Sequence, residues 1–298
     1  MHMLDLQRHF RMIAVAALLA FTVAARRAQA DEPLNLLFFG NSFTIGNNVA
    51  GKVGYLAAAD GHASPLILTD LSGGKDLDYH IGEVVNNPQN NVSNTAIAGK
   101  TWDYVVIQGY STEATHLQSP ATDFIPDAQT LYTNVRDHAS GRGAGVKAIL
   151  YETWARGDMV SNGSFATMNA MQAEITSNYY LAAGSINAGE GMGSARVAPV
   201  GEAFELMDFD AALYVPTQNK YHPSVNGSLL ASMVIYRTIY GEHVSDIKYA
   251  SASSWAGVNE ATWNELAGYA DAVTIIPEPA SMALLGASGL MAAGYWRR

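Results

Sequence analysis

Ser42 stands in the stretch FFGNSFTIGN, residues 38–47, two positions past an apolar run that stops at Gly40. A serine hydroxyl there can attack a carbonyl carbon if a base accepts its proton. A helix that follows would present unpaired backbone N–H groups, which suit a developing negative charge. Ser42 can equally be read as the cap of that helix, because Ser and Asn are favoured in that role. The base candidate lies far downstream, in NKYHPSVNGSLLAS. His222 precedes Pro223, which keeps the residue before it extended. Ser224 suits the N-cap of a helix beginning just after. A hydroxyl and an imidazole that converge in space carry the chemistry of acyl transfer.

Other residue types narrow the chemistry. No His-x-x-x-His or His-Glu-x-x-His spacing occurs, and there is no cysteine, so neither a metal site nor thiolate chemistry is indicated. Asp70, Asp76 and Asp78 lie close together without the pattern of a calcium loop. GNSFTIG lacks the G-x-G-x-x-G of a dinucleotide site, and no cofactor is expected. His80, six residues past the Gly73-Gly74 pair, reads as either a pocket residue or a solvated loop histidine. Trp154 and Arg156 are candidate pocket walls, since aromatics stack on sugars, although a core tryptophan is an equal reading. Glu152 is a candidate acid in the same stretch.

Five apolar runs read as buried parallel strands: 34–39, 66–71, 104–108, 148–151 and 196–200. Between and after them lie segments of helical pattern, 48–59, 77–86, 126–139, 165–183, 225–240 and 260–272. Strand alternating with helix predicts an α/β fold, a three-layer α/β/α sandwich around a five-stranded, mainly parallel, flavodoxin-like sheet. Ligands of such sheets bind beyond the carboxyl ends of the strands. The segments Gly40-Asn41-Ser42, Ser72-Gly73-Gly74, Gln108-Gly109-Tyr110-Ser111 and Glu152-Thr153-Trp154 should therefore share one edge. GRGAGVK, residues 141–147, reads as a loop into the fourth strand, because no Lys-Ser/Thr pair opens a helix there.

The two ends differ in kind from the middle. Residues 1–30 have the layout of a secretory signal: Arg8 and Arg11, an apolar run from Ile13 to Ala24, then Ala28-Gln29-Ala30. The C-terminal segment 275–298 carries Pro277-Glu278-Pro279, an apolar stretch from Ala280 to Trp296 and a closing Arg297-Arg298. Between these ends, residues 31–274 read as one domain. Without residues 1–30 and 277–298 the chain keeps 11 basic and 25 acidic residues, a net charge of about −14. Such a surface disfavours nucleic acid and anionic membranes.

The C-terminal segment resembles the PEP-CTERM sorting signal. That resemblance implies export to the periplasm, cell surface or exterior, processing by signal peptidase and an exosortase-type enzyme, and membrane association through the tail before it is removed. The blocks GNSFT, LSGGKDL, VVIQGYS and YHPSVNG, in this order across residues 34–240, resemble the SGNH, or GDSL-like, hydrolase superfamily. The resemblance implies a serine esterase acting on short acyl esters, including O-acetyl groups on carbohydrate, through an acyl-enzyme. It makes Ser42 the nucleophile and His222 the base. The oxyanion donors it implies are the Ser42 N–H, the N–H of Gly73 or Gly74, and the side chain of Gln108 where the superfamily commonly has Asn. Asn41, His80, Ser111, Trp154 and Arg156 would line the pocket. The third triad member departs from the pattern, because Asn219 stands where Asp is usual, three residues before the histidine. Three readings follow: a Ser42–His222 dyad, another acid such as Asp208 or Asp210 reaching the imidazole, or a surface protein that binds polysaccharide with little or no turnover.

Overall fold

The structure is a computed structural model and describes residues 32–86, 101–138 and 145–276. The expected leader, the tail from residue 277 and part of the 141–147 loop lie outside the described residues. Five strands form one sheet: β1 Asn35–Gly40, β2 Leu66–Leu71, β3 Tyr104–Ile107, β4 Lys147–Tyr151 and β5 Ala195–Ala198. Their order is β2-β1-β3-β4-β5, and every neighbouring pair is parallel. This is the doubly wound order of flavodoxin-like sheets. The chain leaves β1 toward β2 on one side, then returns to place β3 on the other. The crevice at that reversal lies beyond the ends of β1 and β3, between Gly40 and Ile107.

Burial explains why these runs lack alternation. Leu36, Leu37, Phe38 and Phe39 of β1 are all buried, as are Val105, Val106 and Ile107 of β3. A strand covered by helices on both faces needs apolar residues at every position. The edge strand β2 is more open, with Leu66 exposed. The fifth strand stops at Ala198 rather than Val200. Pro199 cannot donate to a ladder, and Val200 opens a helix.

The longer helices fall on the expected segments: α2 Val49–Ala59, α3 Leu77–Asn86, α4 Phe124–His138, α6 Met168–Glu190, α8 Val225–Tyr240 and α10 Glu260–Ala272, with α6 running seven residues past its expected end at 183. The short ones are additions: α1 Ser42–Ile45, α5 Gly157–Ser161, α7 Val200–Leu206 and α9 Tyr249–Ala252. They are too brief to show a period of 3.6 residues. One layer packs α8 against α2 and α10, and the other packs α4 between α3 and α6.

Helix α8 is buried along most of its length, and its start fixes the loop that carries His222. Ser224 accepts from the N–H groups of Asn226 and Gly227 at 3.1 and 3.3 Å. It thus caps the helix as its sequence suggests. Its own N–H donates to the carbonyl of Leu213 at 2.9 Å, beside an antiparallel bridge between Tyr214 and Pro223. A Cβ on Gly227 would lie 2.2 Å from that same Leu213 carbonyl. Glycine is required there because two backbone segments meet. Gly227→Ala should therefore cost about 1–3 kcal/mol, lowering Tm by about 2–4 °C per kcal/mol. Thermal unfolding checks this, and an unchanged Tm would show that the two segments separate at no cost.

Candidate active site

The nucleophile candidate is set by the turn that ends β1. Asn41 is buried, and its Oδ1 accepts from Phe43 N–H at 3.2 Å. Asn41 is therefore the cap of α1, and the Ser42 hydroxyl is left for another partner. Gln108 locks this turn. Its Oε1 accepts from Asn41 N–H at 3.0 Å and from the Thr44 hydroxyl at 2.9 Å, while its Nε2 donates to Asn41 Oδ1 at 3.0 Å and to the Gly109 carbonyl. Gly40 must be glycine, since a Cβ would stand 2.7 Å from Thr44 Oγ1 and 2.8 Å from Gln108 Oε1. The Gln108 amide, buried and engaged with Asn41 and Gly109, braces the serine turn instead of facing substrate. This corrects its expected place as an oxyanion donor.

His80 also serves the turn. It is fully buried, its Nε2–H donates to the Gly40 carbonyl at 3.1 Å, and its Nδ1 lies 3.5 Å from Asp70 Oδ1. It is neither a solvated loop residue nor a pocket lining. Ser72 N–H donates to the other side of the Gly40 carbonyl at 3.0 Å, and Asn41 Nδ2 donates to Lys75 O at 2.9 Å. The loop holding Gly73 and Gly74 is thus tied to the serine turn. Both glycines are exposed with open space around them, and Gly74 has φ +71°.

His222 reaches this edge from the opposite end of the chain. Its Nε2 lies 3.0 Å from Ser42 Oγ, across 180 residues of sequence. Its Nδ1 faces Gln218 Oε1 at 2.5 Å. The loop is pinned from below: Gly157 N–H donates to Lys220 O at 3.2 Å and Trp154 Nε1–H donates to Tyr221 O at 3.1 Å. Val215 N–H closes the loop on the His222 carbonyl at 2.9 Å. Asn219 and Lys220 are left-handed, with φ of 44° and 54°. That turn sends the Asn219 side chain to Ser161 Oγ, 3.0 Å away. Asn219 does not hold the imidazole, and Gln218 occupies that place. Asp210 is engaged elsewhere, capping Ala212 N–H at 2.7 Å.

Trp154 is a core residue. It is sandwiched between Phe43 and Phe204, with centroids 4.3 and 4.4 Å away and nearly parallel planes. It therefore offers no face to a sugar, and it couples the helix of Ser42 to the loop of His222. Gln172 secures the segment on which it lies, accepting from Ala155 N–H at 2.8 Å and donating to Thr153 O at 3.2 Å. Arg156 is also nearly buried. It grips Asp158 through two bonds of 3.0 and 2.6 Å, donates to Ser111 Oγ at 2.7 Å and lies 3.6 Å above the Tyr221 ring. Tyr221 in turn packs 4.1 Å from the His222 ring.

The electrostatics follow from these contacts. Burial lowers the pKa of His222, the Arg156 cation lowers it further, and Asp158 acts in the opposite sense. Glu113 joins the loops after β2 and β3, accepting from Leu77 N–H at 3.1 Å and Tyr110 N–H at 2.6 Å. Burial pushes its carboxyl up to about 8. Glu152 lies in the core beneath α6 and α7, where it accepts from Gln172 and from Glu202 N–H at 3.2 Å each. It has no part in the Ser42–His222 contact.

Gln218, Tyr221 and Glu113 were not singled out by sequence reasoning. The spacing of Gln218 four residues before His222 was visible, but its meaning depends on two left-handed residues between them. Asn tolerates that conformation readily, whereas Lys does not signal it.

Residues 276–298 match the PEP-CTERM protein-sorting motif, which marks export with C-terminal anchoring or processing. Among the described residues no helix is long and apolar enough to cross a membrane. No curated protein matches the chain by sequence. Among the solved structures that are similar, three are as follows. A DUF4886-family protein from Bacteroides uniformis shares 17% identity and a TM-score of 0.59, over 80% of this chain and 94% of its own. A candidate SGNH hydrolase from Slackia heliotrinireducens shares 22% identity and a TM-score of 0.54, over 70% of this chain and 100% of its own. A candidate GDSL-like lipase from Parabacteroides merdae shares 14% identity and a TM-score of 0.51, over 72% of this chain and 98% of its own. The chain has the fold of SGNH/GDSL-like hydrolases.

Burial raises Glu152 to about 8 in the folded state. Its protonated form therefore favours folding, fully so below the unfolded carboxyl range, and the contribution is lost as pH climbs toward about 8. Glu152→Gln stays neutral and should flatten the fall of the urea midpoint between about pH 5.5 and about pH 8.5. Equal slopes in the two chains would mean that Glu152 ionises without cost.

Proposed function

We propose that the chain is an exported serine ester hydrolase of SGNH type, with residues 31–274 as its catalytic domain. The observation that supports this most directly is the 3.0 Å contact between Ser42 Oγ and His222 Nε2. Ser42 Oγ attacks the ester carbonyl carbon while its proton passes to His222 Nε2. The tetrahedral oxyanion is received by the N–H of Ser42 and the N–H of Gly73 or Gly74. Each such donor contributes on the order of 3 kcal/mol to the transition state. His222 then protonates the leaving alcohol as the carbon–oxygen bond breaks. Water, deprotonated by the same imidazole, then attacks the acyl carbon; the bond to Ser42 Oγ breaks, the imidazolium returns its proton to Oγ, and the acid leaves.

The proposed substrates are short acyl esters, with O-acetyl groups on extracellular carbohydrate as the case suited to an exported chain. Signal peptidase and an exosortase-type enzyme are the processing partners in this reading. The SGNH fold and the PEP-CTERM motif support hydrolysis outside the cytoplasm; the acyl group and the alcohol rest on resemblance. A polysaccharide-binding protein with little turnover is the second reading, favoured by the absence of a carboxylate on His222 Nδ1.

A fluorophosphonate probe separates the two. Labelling at Ser42 that is lost in Ser42→Ala and slowed at least 100-fold in His222→Ala supports the hydrolase. No labelling, with saccharide binding retained, supports the binding protein. The pH dependence carries a sign. His222 must be neutral to act as base, and burial with Arg156 depresses its pKa. The labelling rate should therefore reach half its plateau below the ordinary imidazole midpoint of about 6.5. A midpoint above that value would contradict the assigned base.

A further inference from the structure

We propose that Gln218 is the residue that orients His222, so that Ser42, His222 and Gln218 form an uncharged triad. The inference rests on the reading of Ser42 and His222 as nucleophile and base, and it concerns the group behind the base. An amide oxygen 2.5 Å from Nδ1 can only accept there, so Nδ1 carries the proton. The lone pair of the neutral imidazole is then on Nε2, facing Ser42 Oγ at 3.0 Å. This is the tautomer a general base requires. Gln218 thus supplies the orientation that a triad carboxylate normally supplies, without its negative charge.

The loop is shaped for this contact. Gln218 N–H donates to Val215 O at 3.1 Å, and Val215 N–H donates to His222 O at 2.9 Å, so both residues hang from one closed turn. The left-handed pair Asn219 and Lys220 brings residues 218 and 222 to the same side and directs Asn219 to Ser161. Gly157 makes room for the turn, since a Cβ there would lie 2.8 Å from Asn219 O. The charged groups that act on the imidazole come from the start of α5: Arg156, which disfavours its cation, and Asp158, which favours it. Both Asp158 oxygens are held by Arg156, so that carboxylate does not replace the missing one. Tyr221 and Phe43 complete the ring's surroundings without formal charge.

A neutral acceptor stabilises imidazolium less than a carboxylate does. The base is consequently weaker but stays unprotonated at lower pH. Removing the acceptor should lower turnover by about 10- to 100-fold, the range for a hydrogen bond to a charged group.

The test uses the full-length chain and two readouts. In 1H–15N spectra of His222, the native chain should show the proton on Nδ1, and Gln218→Ala should lose that preference. With p-nitrophenyl acetate, Gln218→Ala should lower kcat about 10- to 100-fold with KM changed less than about twofold. Gln218→Glu should move the pH midpoint upward and equal or exceed the native kcat above it. Asn219→Asp should leave the Nδ1 tautomer preference as in the native chain and move the midpoint upward less than Gln218→Glu does, because position 219 faces Ser161 and acts on the imidazole only through its field. A native imidazole protonated on Nε2, or a Gln218→Ala chain with native tautomer and midpoint, overturns the proposal. If Ser42→Ala retains full turnover, the nucleophile assignment fails instead, and the tautomer readout still decides the role of Gln218.

Discussion

The contact between Ser42 and His222 closes a loop of 180 residues, and no local preference could create it. It exists because two rigid supports fix its ends. One is the turn after β1, where Asn41, Gln108 and His80 satisfy almost every polar group around Gly40. The other is the segment after β4, which pins the carbonyls of Lys220 and Tyr221. Trp154 belongs to the second support and stacks on Phe43 of the first. A buried aromatic sandwich thus sets the spacing of the hydroxyl and the imidazole. Buried polar groups of this kind are costly unless fully paired. The site is therefore rigid for the same reason that it is sensitive to substitution.

Much of this arrangement is legible in the chain itself, and the unread portion has a physical cause. The strands announce themselves because residues such as Leu36 to Phe39 are buried on both sides and so are uniformly apolar. The helices Val225–Tyr240 and Glu260–Ala272 match their expected limits to the residue, and the helix from Leu77 starts where expected. Sheet topology accounts for Ser42 at the strand-end edge, whereas His222, well past β5, reaches that edge through the contacts of its loop with the segment after β4. What escapes is the partner of each polar side chain. Gln108 and His80 are near the serine in sequence-derived topology, yet whether they face substrate or the turn depends on side-chain direction within a few ångströms. Trp154 could equally have been a sugar platform or a core wedge, and only the placement of Phe43 and Phe204 decides between them. Asn219 shows the same limit in the backbone. Spacing alone puts it where a triad acid belongs, while a left-handed turn gives that place to its neighbour.

The charge pattern deepens the role of Arg156. In a chain whose middle carries a net charge of about −14, a nearly buried guanidinium beside the imidazole is a local exception. Its pairing with Asp158 and its stacking on Tyr221 offset the cost of burying it. The cation also contacts Ser111 after β3, so it ties the third strand's loop to the loop of His222. Its field acts on His222 in the same direction as burial, and both oppose protonation. Under the proposed function, a base so placed would have less driving force to take a proton, but a larger fraction of it would be neutral at acidic pH. A carboxylate behind the imidazole would reverse this exchange, raising basicity and narrowing the usable pH range. The neutral amide and the neighbouring guanidinium therefore act together, and the meaning of either depends on the other being present.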